Sequence, residues 1–180
     1  MKKLAWLLIA AAACWILSEG LEFTSGGRIA LTLFLTVAFH GLTAAGVWGA
    51  YAGQPRGRSP MSLIGTAMMS IGYLVLIYPP LAVAQSPSMT IVDFVGANPP
   101  FRIAGMLAVL GTMLLGGSIV RYRTYAAWTG VALIVCPVLF TVTLTQGLSG
   151  VIANVVNVIE AVALITIGMR ALRPAAEGPG

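Results

Sequence analysis

The chain has 180 residues, of which 58% are hydrophobic and only 8% charged, with a formal charge of +5. A soluble domain carries about 25% charged residues, and a surface made from so few would expose large apolar patches, so the solvent for most of this chain is lipid. The basic residues stand between apolar runs, which assigns the positive charge to orientation in a bilayer and not to nucleic acid.

Crossing the hydrocarbon layer takes ~20 apolar residues. Six runs answer to this: Leu4–Ser18, Ile29–Tyr51, Met61–Tyr78, Ile103–Val120, Tyr125–Thr145 and Val151–Met169. Lipid offers no partner to an open backbone amide, and the runs are apolar all round instead of alternating, so they are predicted as helices and not barrel strands. The fold class expected is all-α: a polytopic six-helix membrane bundle over residues 1–173, followed by a disordered cytoplasmic tail, 174–180.

The first run is short. With Met1–Lys3 before it and Ala11–Cys14 near its end it resembles a signal peptide, whose cleavage would leave five spans. Cys14 lacks the large aliphatic residue three positions earlier that a lipoprotein signal needs, and a retained helix is the expectation. The second run holds His40 near its middle and Gly46, Gly49 and Gly53 toward its end. The third ends at Pro79 and Pro80, which break a helix. The segment Pro79–Arg102 is expected as a loop lying on the membrane surface, with Ile91, Val92, Phe94 and Val95 as its apolar part; the alternative is a lid over a cavity between helices. Pro99 and Pro100 suit the first turn of the fourth run. Pro137 is expected to kink the fifth run by freeing the carbonyl of Leu133, and Pro174 to stop the sixth.

Charge fixes the orientation. Lys2, Lys3, Arg56, Arg58, Arg121, Arg123, Arg170 and Arg173 fall on one side of a six-span layout. Arg28 and Arg102 fall on the other, with Glu19, Glu22 and Asp93. The bias is positive-inside, which puts both termini in the cytoplasm of a bacterial cell and the protein in the inner membrane. Trp6, Trp48, Tyr51, Tyr122, Tyr125 and Trp128 lie near the inner boundary and Trp15 and Tyr78 near the outer, as interfacial anchors do. Arg56-Gly-Arg58-Ser59 leads to Gly65 at the spacing by which Arg121-Tyr-Arg123-Thr124 leads to Gly130, and Gly46 and Gly111 precede them at equal offsets. This pattern fits a duplicated hairpin. It fits equally the general need of inner loops for arginine and of tight helix pairs for glycine.

No phosphate-cradling loop, hydrolase set or metal cluster is present, and no cofactor is expected; one histidine excludes a bis-histidine haem within the chain. Cys14 and Cys136 read as packing residues. The residues that stand out are His40 and Glu160, near the middles of the second and sixth runs and hence near the bilayer midplane. Ionisable groups there cost several kcal/mol, roughly 2.5–3.5 on insertion scales, and mark ion or substrate pathways. Thr36 and Thr43 share a helix face with His40. Asn154, Asn157 and Glu160 make a slanted polar strip, which Gln146 and Ser149 extend to the outer end. A helix–helix hydrogen bond is the plainer reading of both residues. Gly46, Gly49, Gly65, Gly111 and Gly116 read as helix-packing positions, with Gly72 and Gly117 beside them.

The stretch GTMLLGGSIVRYRTYAAWTG at Gly111–Gly130, with His40-Gly41-Leu42 in the second run, resembles uncharacterised small six-span bacterial integral membrane proteins. The likeness is one of layout and covers about Ile29–Phe140. It implies the six-span fold, supplies no activity, and does not extend to Glu160. Three functions compete: a small-solute or proton-linked carrier or binding protein using His40 and Glu160; a non-catalytic accessory or assembly subunit of a larger membrane complex, or a homo-oligomer, using its glycine faces; and an intramembrane enzyme on a lipid or isoprenoid with Glu160 as general acid. A carrier needs a water-reachable cavity at Glu160, an accessory subunit an exposed face of small residues, and an enzyme a second acid or base beside the first. The sequence leans to a buried polar binding site.

Overall fold

The computed structural model describes residues 2–25, 27–54, 59–86, 89–146 and 150–173. Arg56, Arg58, Ser149 and the segment 174–180, on which part of the sequence reading rests, lie outside the described residues. Among the described residues, a short 3-10 turn, Lys2–Leu4, is followed by eight helices: α1 Ala5–Ser25, α2 Ala30–Ala52, α3 Pro60–Val75, α4 Tyr78–Ala84, α5 Ile91–Ala97, α6 Pro99–Tyr122, α7 Ala127–Thr145 and α8 Gly150–Leu172. There is no strand among the described residues. Five segments are long and apolar enough to cross a membrane: Lys2–Ser25, Ala30–Ala52, Pro60–Ala84, Pro99–Tyr122 and Gly150–Leu172. The apolar part of α7, Ala127–Thr143, is shorter.

Two departures from the sequence reading have local causes. The first run does not stop at Ser18: α1 continues through Glu19 and Glu22 to Ser25. Glu19 reads as a span end in sequence, yet in the fold its carboxylate is satisfied by neighbouring side chains (below), so the helix carries it without breaking. The third run ends earlier, at Val75, and Leu76 and Ile77 form a turn before α4. Pro79 and Pro80 have no N–H to give to the carbonyls of Val75 and Leu76 four residues back, so the pair ends α3. First-turn positions need no such donor, so the same prolines sit within the start of α4.

The segment expected as a loop on the membrane surface is therefore largely helical. Pro79, Pro80 and Val83 are buried, and α4 packs on α2 while α5 packs on α4 and α6. Thr90 and Asp93 cap α5 reciprocally, with the Asp93 N–H donating to Thr90 Oγ1 at 3.1 Å and the Thr90 N–H to Asp93 Oδ2 at 3.3 Å. Tyr78, Phe94 and Phe101 join α4, α5 and α6 through ring contacts of 5.4–6.1 Å.

The long helices close into a ring in which α1 packs on α2, α2 on α3, α3 on α6, α6 on α7, α7 on α8 and α8 back on α1. The start of α1 meets the end of α8: the Lys2 ammonium donates to the Arg173 backbone carbonyl. Many large apolar side chains are exposed, Phe23 at 68% and Phe34 at 66% among them, while the interior is dominated by Ala, Gly, Thr and Ser. Lipid gives helices no hydrophobic reason to associate, so close backbone packing has to hold them. A Cβ on Gly49 would lie 2.0 Å from the Ala5 nitrogen, and one on Gly46 2.4 Å from that of Leu8, which places the backbones of α1 and α2 in contact. Gly65 and Gly111 do the same between α3 and α6, and Gly116 between α6 and α7. Gly46 and Gly111 each press on the preceding helix of the ring, as a duplicated hairpin requires. Gly65 and Gly130, however, both face α6, so the second pair is not equivalent.

Helix α6 ends on Arg123, whose φ of 49° lies in the left-handed region. That conformation costs a non-glycine residue about 1–2 kcal/mol. Arg123→Gly is expected to raise stability by about 1 kcal/mol, less the added freedom of glycine in the unfolded chain. Thermal unfolding in detergent checks this, and an unchanged or lowered midpoint would mean that the arginine side chain holds the turn.

Candidate functional site

His40 is placed by the break between α3 and α4. Pro80 leaves the Leu76 carbonyl without a helical donor, and the His40 imidazole hydrogen-bonds that carbonyl. The imidazole ring packs against Phe39 at 5.3 Å and Tyr73 at 5.5 Å, and Trp15 closes on Phe39 at 4.3 Å. The His40 Nδ1 atom is buried without a partner. Of the threonines predicted to share its face, Thr36 donates to its own helix at the Thr32 carbonyl, 2.9 Å away, and Thr43 is buried with its hydroxyl unpaired.

Glu160 is 3% exposed on α8. Its carboxyl interacts electrostatically with Tyr73 of α3 and Cys136 of α7, and the Tyr73 hydroxyl is hydrogen-bonded to Thr112 of α6. Among the described residues no hydrogen bond or ion pair joins Glu160 to His40. Tyr73 stands between them, with its ring against the imidazole and its phenol within electrostatic reach of the carboxyl. Sequence reasoning passed over Tyr73 because a single Tyr in an apolar run reads as core.

The asparagine strip of α8 faces α1. Asn157 donates to Glu19 Oε1 at 2.8 Å, and the Trp15 indole N–H donates to the same oxygen at 3.0 Å. Asn154, with its amide turned to satisfy both ends, donates to Glu19 Oε2 at 2.8 Å and to the Gly150 carbonyl at 2.9 Å. The expected strip of Asn154, Asn157 and Glu160 is thus divided: its two amides serve Glu19, and Glu160 lies one turn deeper. The Asn157 amide oxygen is buried and unpaired, and the residue as a whole is 5% exposed. The signal that could have found this cluster is the four-residue step from Trp15 to Glu19, which puts donor and acceptor on one helix face.

The cluster borders a groove of about 400 Å³ lined by Glu19, Asn154, Gly20, Phe23, Val155 and Ile159, among others. The neighbouring cation, Arg28, is taken by Glu22 at 3.4 Å. A second cavity, about 750 Å³, lies between α2 and α4, with Arg28, Phe34, Pro80 and Met89 in its lining. Neither of these two reaches His40 or Glu160. The packing glycines named above are spent on contacts within the chain, whereas Gly20 and Gly105 have open space where a Cβ would stand. Among the described residues no three His, Cys, Asp or Glu side chains gather as a metal site would need. No family model, curated protein or solved structure matches the chain.

Proposed function

We propose that the protein is a six-span inner-membrane protein, with both termini cytoplasmic, that binds and carries a small solute in a proton-linked manner along the polar strip between α1 and α8. Helix α7 is the sixth span in this reading. It has 19 residues, and it packs against both α6 and α8. Support for the orientation comes from where the ends lie. Lys2 contacts Arg173, Gly53 packs on Ala171, and the Tyr125 hydroxyl donates to the Ala50 carbonyl, so the basic ends of α1, α6 and α8 collect at one end of the bundle. Burial raises the Tyr125 phenol well above its usual range, so it stays a neutral donor there.

The observation that carries the functional reading is Asn157. Its amide nitrogen is committed to Glu19, at the groove, and its unpaired oxygen belongs to a residue three positions from Glu160. Asn157 is thus bonded to the carboxyl beside the groove and stands one helical turn along α8 from the carboxyl in the core. Binding a proton removes the charge that hydrocarbon penalises. Proton uptake at one carboxyl is then a natural counterpart to solute binding at the other.

The second reading, an accessory subunit, is favoured at Glu160 itself, since neither of the two cavities reaches the carboxyl and a carrier needs one there. It is weakened because the glycines that would have met a partner helix are already used within the chain.

Proteoliposomes loaded with a pH-sensitive dye and given an inward proton gradient should acidify faster than empty liposomes. Glu160→Gln should return the rate to that of empty liposomes at unchanged insertion. Equal rates for the unmodified protein and the variant would remove Glu160 from any proton path and leave the accessory reading.

A further inference from the structure

The Glu19 carboxylate accepts from Trp15, Asn157 and Asn154, three neutral donors, and among the described residues no basic side chain pairs with it. Three donors fix the carboxylate in place without cancelling its charge. A carboxylate held in this way at the edge of hydrocarbon is a site for a cation, because a fixed charge attracts more strongly as the surroundings become less polar. Asn157, 5% exposed and outside the groove lining, holds Glu19 from the core side, so the acceptor that the groove presents is the Glu19 carboxylate itself. A carboxylate is an acceptor only, and it is best met by a cation that carries N–H donors, which a primary ammonium has and a quaternary ammonium lacks.

The groove sets the rest of the ligand. Apart from Glu19 and Asn154 its lining is Ile16, Gly20, Phe23 and the α8 side chains Val151, Val155, Val158 and Ile159. Many of these are exposed apolar residues, Phe23, Val155 and Ile159 among them, so the groove opens to the surface that faces lipid. Gly20 keeps it open, since nothing lies within 4 Å of where its Cβ would be.

We propose that Glu19, held by Asn154 and Asn157, forms a binding site for a primary ammonium group carried on an apolar body, which enters from the lipid through the groove between α1 and α8. The inference rests on Glu19 as the solute-binding carboxylate of the reading above. Its test is binding alone, so it can fail while proton flux through Glu160 persists, and the reverse. The ammonium can come from a free alkylamine or from the headgroup of an aminophospholipid.

Trp15 is the built-in reporter, because its indole shares the Glu19 oxygen with Asn157. The full chain and its Trp15→Phe variant, both in phosphatidylcholine nanodiscs, would be titrated with decylammonium, and the difference in emission assigned to Trp15. A saturable change is expected with decylammonium and none with decanol, which has the same body without the charge. Glu19→Gln should lose the response. Gly20→Phe, which fills the groove and leaves every hydrogen bond of Glu19 in place, should weaken the apparent affinity tenfold or more. Because Gly20 is exposed, this variant keeps the test decisive should Glu19→Gln fold poorly. If phosphatidylethanolamine in the nanodisc competes with decylammonium, the lipid headgroup is a ligand; if it does not, the site takes the free amine. An equal response to decanol, or a response that survives in Gly20→Phe at full affinity, would overturn the proposal.

Discussion

Gly111→Leu should unfold or separate the α3–α6 pair, with a loss of more than about 3 kcal/mol, the upper part of the range for overpacking a tight interior. A Cβ at this position would sit 2.3 Å from the Met69 nitrogen and 2.8 Å from the Gly65 oxygen. Both are backbone atoms of α3, so no rotamer change can relieve the clash and the helices must move apart. In water a displaced helix is pressed back by its apolar face. In lipid that force is missing, since the tails are as apolar as the side chains, so the lost contact is not recovered elsewhere. Gly105, on the same helix, is the control. Nothing lies within 4 Å of its Cβ position, and Gly105→Ala should gain about 0.5–1 kcal/mol from reduced chain freedom alone. Unfolding of both variants in mixed micelles, monitored by circular dichroism, makes the comparison. If Gly111→Leu is tolerated as well as Gly105→Ala, the close approach of α3 and α6 is not what holds the bundle.

Much of the architecture is legible in the sequence, because hydropathy acts over a whole run. Each of the six runs overlaps a helix, although α1 runs on past Ser18 and α3 stops short of Tyr78, and the prolines at 99 and 100 stand in the first turn of α6 as their missing N–H groups dictate. What escaped were features decided by a distant partner. Glu19 looked like the end of a span because, taken alone, a carboxylate does not belong in one. Only the fold brings Asn154 and Asn157 from the other end of the chain to satisfy it. Similarly, His40 read as a midplane ionisable residue, while its hydrogen bond goes to a carbonyl that Pro80 leaves free. Both asparagines were legible as a polar strip, but the helix they face is a property of the ring closure of α8 on α1. No local pattern encodes that closure.

Glu160→Leu should stabilise the protein and silence it. The carboxyl is 3% exposed and, among the described residues, has no hydrogen-bond partner. A buried polar group left unsatisfied costs about 1–3 kcal/mol, and replacing it by an apolar group of similar size recovers that cost when nothing else loses a partner. Nothing does here, since the Tyr73 hydroxyl is held by Thr112. The leucine variant should therefore unfold later than the unmodified chain by about 1–3 kcal/mol, while proton flux in liposomes falls to the background level. The pairing of the two effects is what separates the readings. A carboxyl kept for structure would make the leucine variant less stable, and its loss would have no reason to touch flux. A carboxyl kept for its proton is a liability to the fold, tolerated because the chemistry needs a removable charge deep in the hydrocarbon. A destabilised leucine variant with unaltered flux would therefore return Glu160 to a packing role and leave the groove at Glu19 as the functional end of the molecule.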